Sequence, residues 1–175
     1  PKVAESALAV AIMGIVFIQN ITMLGIWTDT LAWIERTTGL TSYPVVFSLA
    51  FVVALAVPTL LLAASSWTAS RHNGDTTWTT FARYGYALIP LDVAGHIAHN
   101  LFHLLAEGKA VAYTAVTAIG GTAPDASAAL ASTGTIRVLQ YLILTLGITG
   151  SVYAAWRITR ARYTTPVARR ASLIP

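Results

Sequence analysis

Three of the chain's four histidines, His96, His99 and His103, stand close together beside Asp92, Asn100 and Glu107. On a helix turning about 100° per residue, these six positions fall within an arc of roughly 100°. Imidazole suits copper, zinc and haem iron, and carboxylate tolerates harder ions. His96, His99 and His103 recur at i, i+3 and i+7, so neighbouring pairs can converge on one ion, while the outer two are about 10 Å apart along the axis. The spacing predicts a metal held by two of these histidines with Asp92 as ligand or as hydrogen-bond partner, and copper ranks ahead of zinc. A second position beside His103 and Glu107 is open, and Asn100 is expected to donate a hydrogen bond to the bound group. Haem b is harder to place, because its two axial ligands approach from opposite faces and one helix stripe cannot supply both. Met23, a five-coordinate iron or a histidine from another chain would have to complete it.

The same residues admit a plainer reading. Histidine and asparagine can tie helices together in a membrane, each such bond contributing about 0.6–2 kcal/mol. A lone histidine would be read that way. Three with an aspartate on one face favour a site, since ionisable groups at membrane depth cost about 2.5–3.5 kcal/mol each on insertion scales. Gln19, Asn20 and Gln140 are read as structural, Met13 as packing, and His72 as a solvated loop residue.

The stripe lies inside an apolar run, and the rest of the chain resembles that run. Of 175 residues 55% are hydrophobic and only 10% charged, with a mean hydropathy of +0.65. Soluble domains carry about 25% charged residues. Four runs, Ser6–Trp27, Val45–Trp67, Phe81–Ala106 and Ile136–Trp156, each reach the roughly 20 residues that a spanning helix needs. The expected fold is therefore an all-α integral membrane domain, a bundle of four transmembrane helices with no second sizeable domain. The first run is too long for a typical signal-peptide core and lacks a small-residue cleavage signature. The chain begins at Pro1 without Met, so either an initiator was removed or the chain is a piece of a longer one.

Orientation follows from the cations. With both termini cytoplasmic, Lys2, Arg71, Arg83, Arg157, Arg160, Arg162, Arg169 and Arg170 lie inside, against Arg36, Lys109 and Arg137 outside. That distribution obeys the positive-inside rule and accounts for the basic pI without nucleic acid. Trp27, Trp33, Tyr43, Trp67, Trp78 and Trp156 then form interfacial belts. The LAWIERTTGL segment predicts a short interfacial helix ended by Gly39. Turns are expected at His72–Asp75 and Gly120–Asp125, with a short helix in the alanine-rich stretch that follows. Pro90 is expected to kink the third helix where the stripe begins. Gln19, Asn20, Met23, Gln140 and Tyr141 fall in the same half of the membrane as the histidines. Below Asp92 the face is apolar, with Gly85, Leu88 and Ile89, which speaks against a transport path. Without cysteine the chain holds no disulfide, thiolate metal site or iron–sulfur cluster of its own.

The stretch Tyr84–Gly108, with its GHIAHNLFHLLAEG core, resembles a segment of polytopic bacterial ferredoxin-like membrane proteins. These are similar to the membrane iron–sulfur proteins of nitrous oxide and nitrate respiration. The Val16–Leu24 segment is compatible with the same membrane region, so the resemblance covers most of the chain. It implies a respiratory, electron-transferring setting in the bacterial cytoplasmic membrane, with other membrane subunits as partners; a quinone is an alternative occupant of the stripe if the chain is a scaffold subunit. The cysteine clusters of such proteins have no counterpart here. The functions this leaves are a redox subunit with a metal or haem on the stripe, a copper or zinc handling protein, and a non-catalytic scaffold subunit.

Overall fold

The computed structural model describes residues 1–122 and 126–173. Among these the chain is helical, with no strand: α1 (Val3–Ile21), α2 (Gly25–Thr38), α3 (Tyr43–Asn73), α4 (Thr77–Tyr84), a 3-10 turn (Gly85–Leu88), α5 (Ile89–Ala118), α6 (Thr133–Arg162) and α7 (Pro166–Leu173). Three of the described helices, α1, α3 and α6, are long and apolar enough to cross a membrane. The fourth long helix, α5, carries the polar stripe and falls outside that set.

Local chemistry moves several boundaries from where the apolar runs put them. The first run breaks at Thr22, where the Met23 and Leu24 amides bond the Asn20 and Ile21 carbonyls in a tight turn. That turn lets Trp27 of α2 fold back onto Ile18 of α1 and Ala54 of α3, with edge-on contacts to Tyr43 and Phe47 at 6.5 and 6.4 Å. The predicted interfacial helix is therefore longer than expected, and it ends at Gly39, whose φ of 71° suits glycine. The expected loop after Trp67 is mostly helix. α3 continues to Asn73 and stops at Gly74, φ 78°, and Thr76 then caps α4 by accepting from the Thr79 amide.

The third run is not one helix kinked at Pro90. A 3-10 turn separates α4 from α5, and Pro90 sits in the first turn of α5, where a missing N–H leaves no helical bond unmade. At its far end α5 runs on to Ala118 instead of stopping near Ala106. Residues 126–132, in the alanine-rich stretch, do not form the expected short helix. They fold back on α5: the Leu130 amide donates to the Leu105 carbonyl at 2.7 Å, and the Lys109 amide to the Ala128 carbonyl at 3.0 Å. Ala123, Pro124 and Asp125, part of the turn expected there, lie outside the described residues.

The long helices pack in the order α3, α1, α5, α6. Small residues set the contacts. A Cβ on Gly14 would fall 2.8 Å from the Ala54 carbonyl oxygen of α3, one on Gly95 would fall 2.5 Å from Val16 Cγ1, and one on Gly147 would fall 2.4 Å from the Ala94 Cβ. Such close approach is how helices gain dispersion energy where no hydrophobic effect drives them together. Pairing of Ser6 with Gly85 and Val16 with Gly95 makes α1 and α5 parallel. The bonds from the Leu91 amide to Ser151 and from Gln140 to the Ala98 carbonyl make α5 and α6 antiparallel.

At one end α4 and α7 join α3 to α6 through a polar knot. Arg83 Nη1 meets Asp75 Oδ2 at 2.5 Å, and the Tyr163 hydroxyl donates to the same oxygen at 2.8 Å. Asn73 Nδ2 donates to the Tyr163 and Ser172 hydroxyl oxygens. Burial alone would raise the Asp75 pKa. The hydrogen bonds from Tyr163 and Arg83, with the charges of Arg83 and Arg162, outweigh it and hold the carboxyl below the usual range.

Candidate functional site

Helix α5 is held between α1 and α6 by its small residues, Ala94 and Gly95. That clamp turns Asp92 inward. Asp92 is only 5% exposed and its Oδ1 has no hydrogen-bond partner. His96 and His99 are half-buried, whereas Asn100, His103 and Glu107 are exposed. The stripe thus runs from a buried aspartate to an exposed end at Glu107.

Its last three ionisable members, His99, His103 and Glu107, engage one another. The His99 and His103 rings stand edge to face at 5.0 Å. His103 Nδ1 lies 3.5 Å from Glu107 Oε2. Asn100 donates to the His96 carbonyl of its own helix at 2.8 Å, so its amide is committed to the backbone. A shallow groove of about 790 Å³ runs along His96, Asn100, His103 and Glu107, and all the residues lining it come from α5.

Among the described residues, no group of three histidine, aspartate or glutamate side chains is placed to hold a metal ion. Met23 is set apart from the histidines. It lines a cavity of about 540 Å³ between α1, α5 and α6 together with Asn20, Arg137, Gln140 and Tyr141, and no histidine lines that space. Of the three residues read as structural, Gln140 donates across the helix pair to the Ala98 carbonyl of α5, Asn20 donates within α1 to the Val16 carbonyl, and Gln19 Oε1 has no partner among the described residues. An iron–sulfur cluster does not fit this chain, which has no thiolate to bind it.

Two residues that the sequence reading did not single out belong to the site. A cleft of about 450 Å³ between α1 and α5 is lined by Asp92 and His96 and also by Glu5 from the first turn of α1. The Tyr86 hydroxyl, from the 3-10 turn, donates to Glu5. An acidic residue in a first helical turn ordinarily reads as a dipole-favoured surface group, and only the pairing of α1 with α5 gives Glu5 another setting. The Asp75–Arg83–Tyr163 knot was also missed, because Tyr163 lies 80 residues or more from the other two in sequence.

No family model, curated protein or solved structure matches this chain.

Proposed function

We propose that this chain is a non-catalytic membrane subunit of a redox complex, crossing the bacterial cytoplasmic membrane four times with both termini inside. The outer half of α5 is the face it turns toward a neighbouring subunit. One observation carries this reading: the groove along α5 that holds His96, Asn100, His103 and Glu107 among apolar side chains has no wall from any other element among the described residues. His103 and Glu107 are 47% and 63% exposed there. Polar groups facing lipid at that depth are costly, and a neighbouring helix that offers hydrogen-bond partners removes the cost.

The alternating directions of α1, α3, α5 and α6 suit four successive crossings, and the excess of cations on the side of both termini suits the orientation. The redox setting rests on the resemblance of Tyr84–Gly108 to membrane ferredoxin-like proteins. Copper, zinc or haem b at this face would require further ligands from the neighbour, because no three ligating side chains of the described residues converge. The apolar face below Asp92 on α5 itself still gives no path for a metal ion, so metal transport ranks below the subunit reading.

The test places a photo-crosslinking amino acid at Leu104, on the exposed part of the stripe, and separately at Val152 on α6. Crosslinking to one partner of fixed size from Leu104, and not from Val152, is expected in native membranes. Crosslinks to lipid alone from Leu104 would overturn the reading. Metal and haem content of the same detergent-purified complex decides whether the face also holds a redox centre.

A further inference from the structure

We infer that the α1–α5 seam, with the exposed stripe that continues from it along α5 alone, is a transmembrane proton relay, running from Glu5 through Asp92, His96, His99 and His103 to Glu107. The sequence alone argued against such a path, because α5 is apolar below Asp92. The structure supplies the missing half from another helix. Glu5 is half exposed, with Lys2 Nζ 3.7 Å away, and it shares the 450 Å³ cleft with Asp92 and His96. Tyr86 is tied to Glu5 from the 3-10 turn. No titratable side chain from α6 lines this cleft.

Three of the buried atoms that lack partners belong to α1 and α5; the fourth, on Ser66 of α3, lies elsewhere. Among the described residues there are four such side-chain atoms: Gln19 Oε1, Ser66 Oγ, Asp92 Oδ1 and His99 Nδ1. Asp92 and His99 are members of the series. Gln19 belongs with them by register: Ser6 sits beside Gly85 and Val16 beside Gly95, so Gln19 falls level with Ala98 and His99. A buried polar group without a partner is destabilising. Asp92 and His99, both unpartnered and on one stripe of α5, are groups that a passing proton or water would satisfy.

The dimensions fit a crossing. From Tyr86 to Glu107 the chain advances about 30 Å at helical rise, the thickness of a bilayer's hydrocarbon core. Beyond Asp92 each step is one helical turn, with side chains at i, i+3 or i+4 separated by about 5–6 Å between Cβ atoms. His99 faces His103 at 5.0 Å, and His103 faces Glu107 at 3.5 Å. Between Glu5 and Asp92 the cleft has the volume for waters, each taking about 30 Å³, and Glu5, Asp92 and His96 are the polar side chains in it that would hold them. At every station one proton is accepted from one side as another is released to the other, so no group changes its net charge over a cycle. Any redox step elsewhere in a complex would supply the driving force and is not part of the relay.

This inference rests on the proposed membrane crossing but not on the neighbouring subunit. The full chain is reconstituted into vesicles containing a trapped pH dye, and insertion is first verified by resistance to alkaline extraction. A potassium-diffusion potential then drives protons. Wild-type protein is expected to carry a proton flux above that of protein-free vesicles. Asp92→Asn and, independently, Glu5→Gln are expected to abolish it, while Tyr141→Phe, in the other cavity, leaves it unchanged. Glu5→Gln can still accept the Tyr86 bond and keeps the side-chain volume, so its loss of flux would not reflect misfolding. Wild-type flux no greater than that of empty vesicles, or wild-type flux in either carboxyl variant at equal inserted amount, would overturn the relay. Failure at the extraction step would instead overturn the membrane crossing.

Discussion

Gly147 of α6 lies so close to Ala94 of α5 that a Cβ built on the glycine would stand 2.4 Å from the alanine's own Cβ. The Pro90 carbonyl oxygen and the Leu91 Cα stand 3.2 and 3.3 Å from the same point. Backbone and a bare methyl leave nothing that can swing aside. This contact fixes the rotation of α5 and therefore the direction in which Asp92, two residues from Ala94, is turned.

Gly147→Leu is accordingly expected to destabilise the helix pair by about 1–3 kcal/mol, the usual cost of overpacking. Gly25→Ala is the control, because nothing lies within 4 Å of an added Cβ there. Thermal unfolding of both variants in one detergent checks this. An unchanged midpoint in Gly147→Leu would mean that the α5–α6 contact is looser than described.

The Asp75 knot predicts a pH-dependent contribution. Asp75→Asn removes a charge-assisted bond to Arg83 and weakens that to Tyr163, with an expected loss of about 1.5–3 kcal/mol at neutral pH. Because the folded carboxyl is held below its ordinary value of about 3.9, this stability is fully present above that value. It is lost as pH falls through the lower folded pKa. The gap in melting midpoint between wild type and Asp75→Asn should therefore be wide at pH 7 and close in strong acid. A gap that stays constant across that range would rule the ion pair out as its source.

Topology can be read chemically because the chain has no cysteine to replace first. Ser127→Cys, at an exposed position between α5 and α6, is expected to react with a membrane-impermeant maleimide from outside intact cells. Thr164→Cys, between α6 and α7, is expected to react only after lysis. Equal labelling of Ser127→Cys and Thr164→Cys from the same side would mean that α6 does not cross, and protection of Ser127→Cys would overturn the proposed orientation.

The stripe itself was legible in the sequence. A period of 3.6 residues placed Asp92, His96, His99, His103 and Glu107 on one face whatever the neighbours were. Gly39 ended a helix for a reason internal to glycine, and the apolar runs announced the long helices by length alone. The ends of those helices were less legible, because they depend on partners distant in sequence. Trp27 leaves the first helix to reach Ala54, and Leu130 returns to cover the Leu105 carbonyl. Which face of α5 is buried, and that Glu5 shares a cleft with Asp92, were decided only by tertiary packing. Helical periodicity is local, whereas the register between two helices is set where small residues let their backbones meet: Ser6 against Gly85, Val16 against Gly95, Gly147 against Ala94.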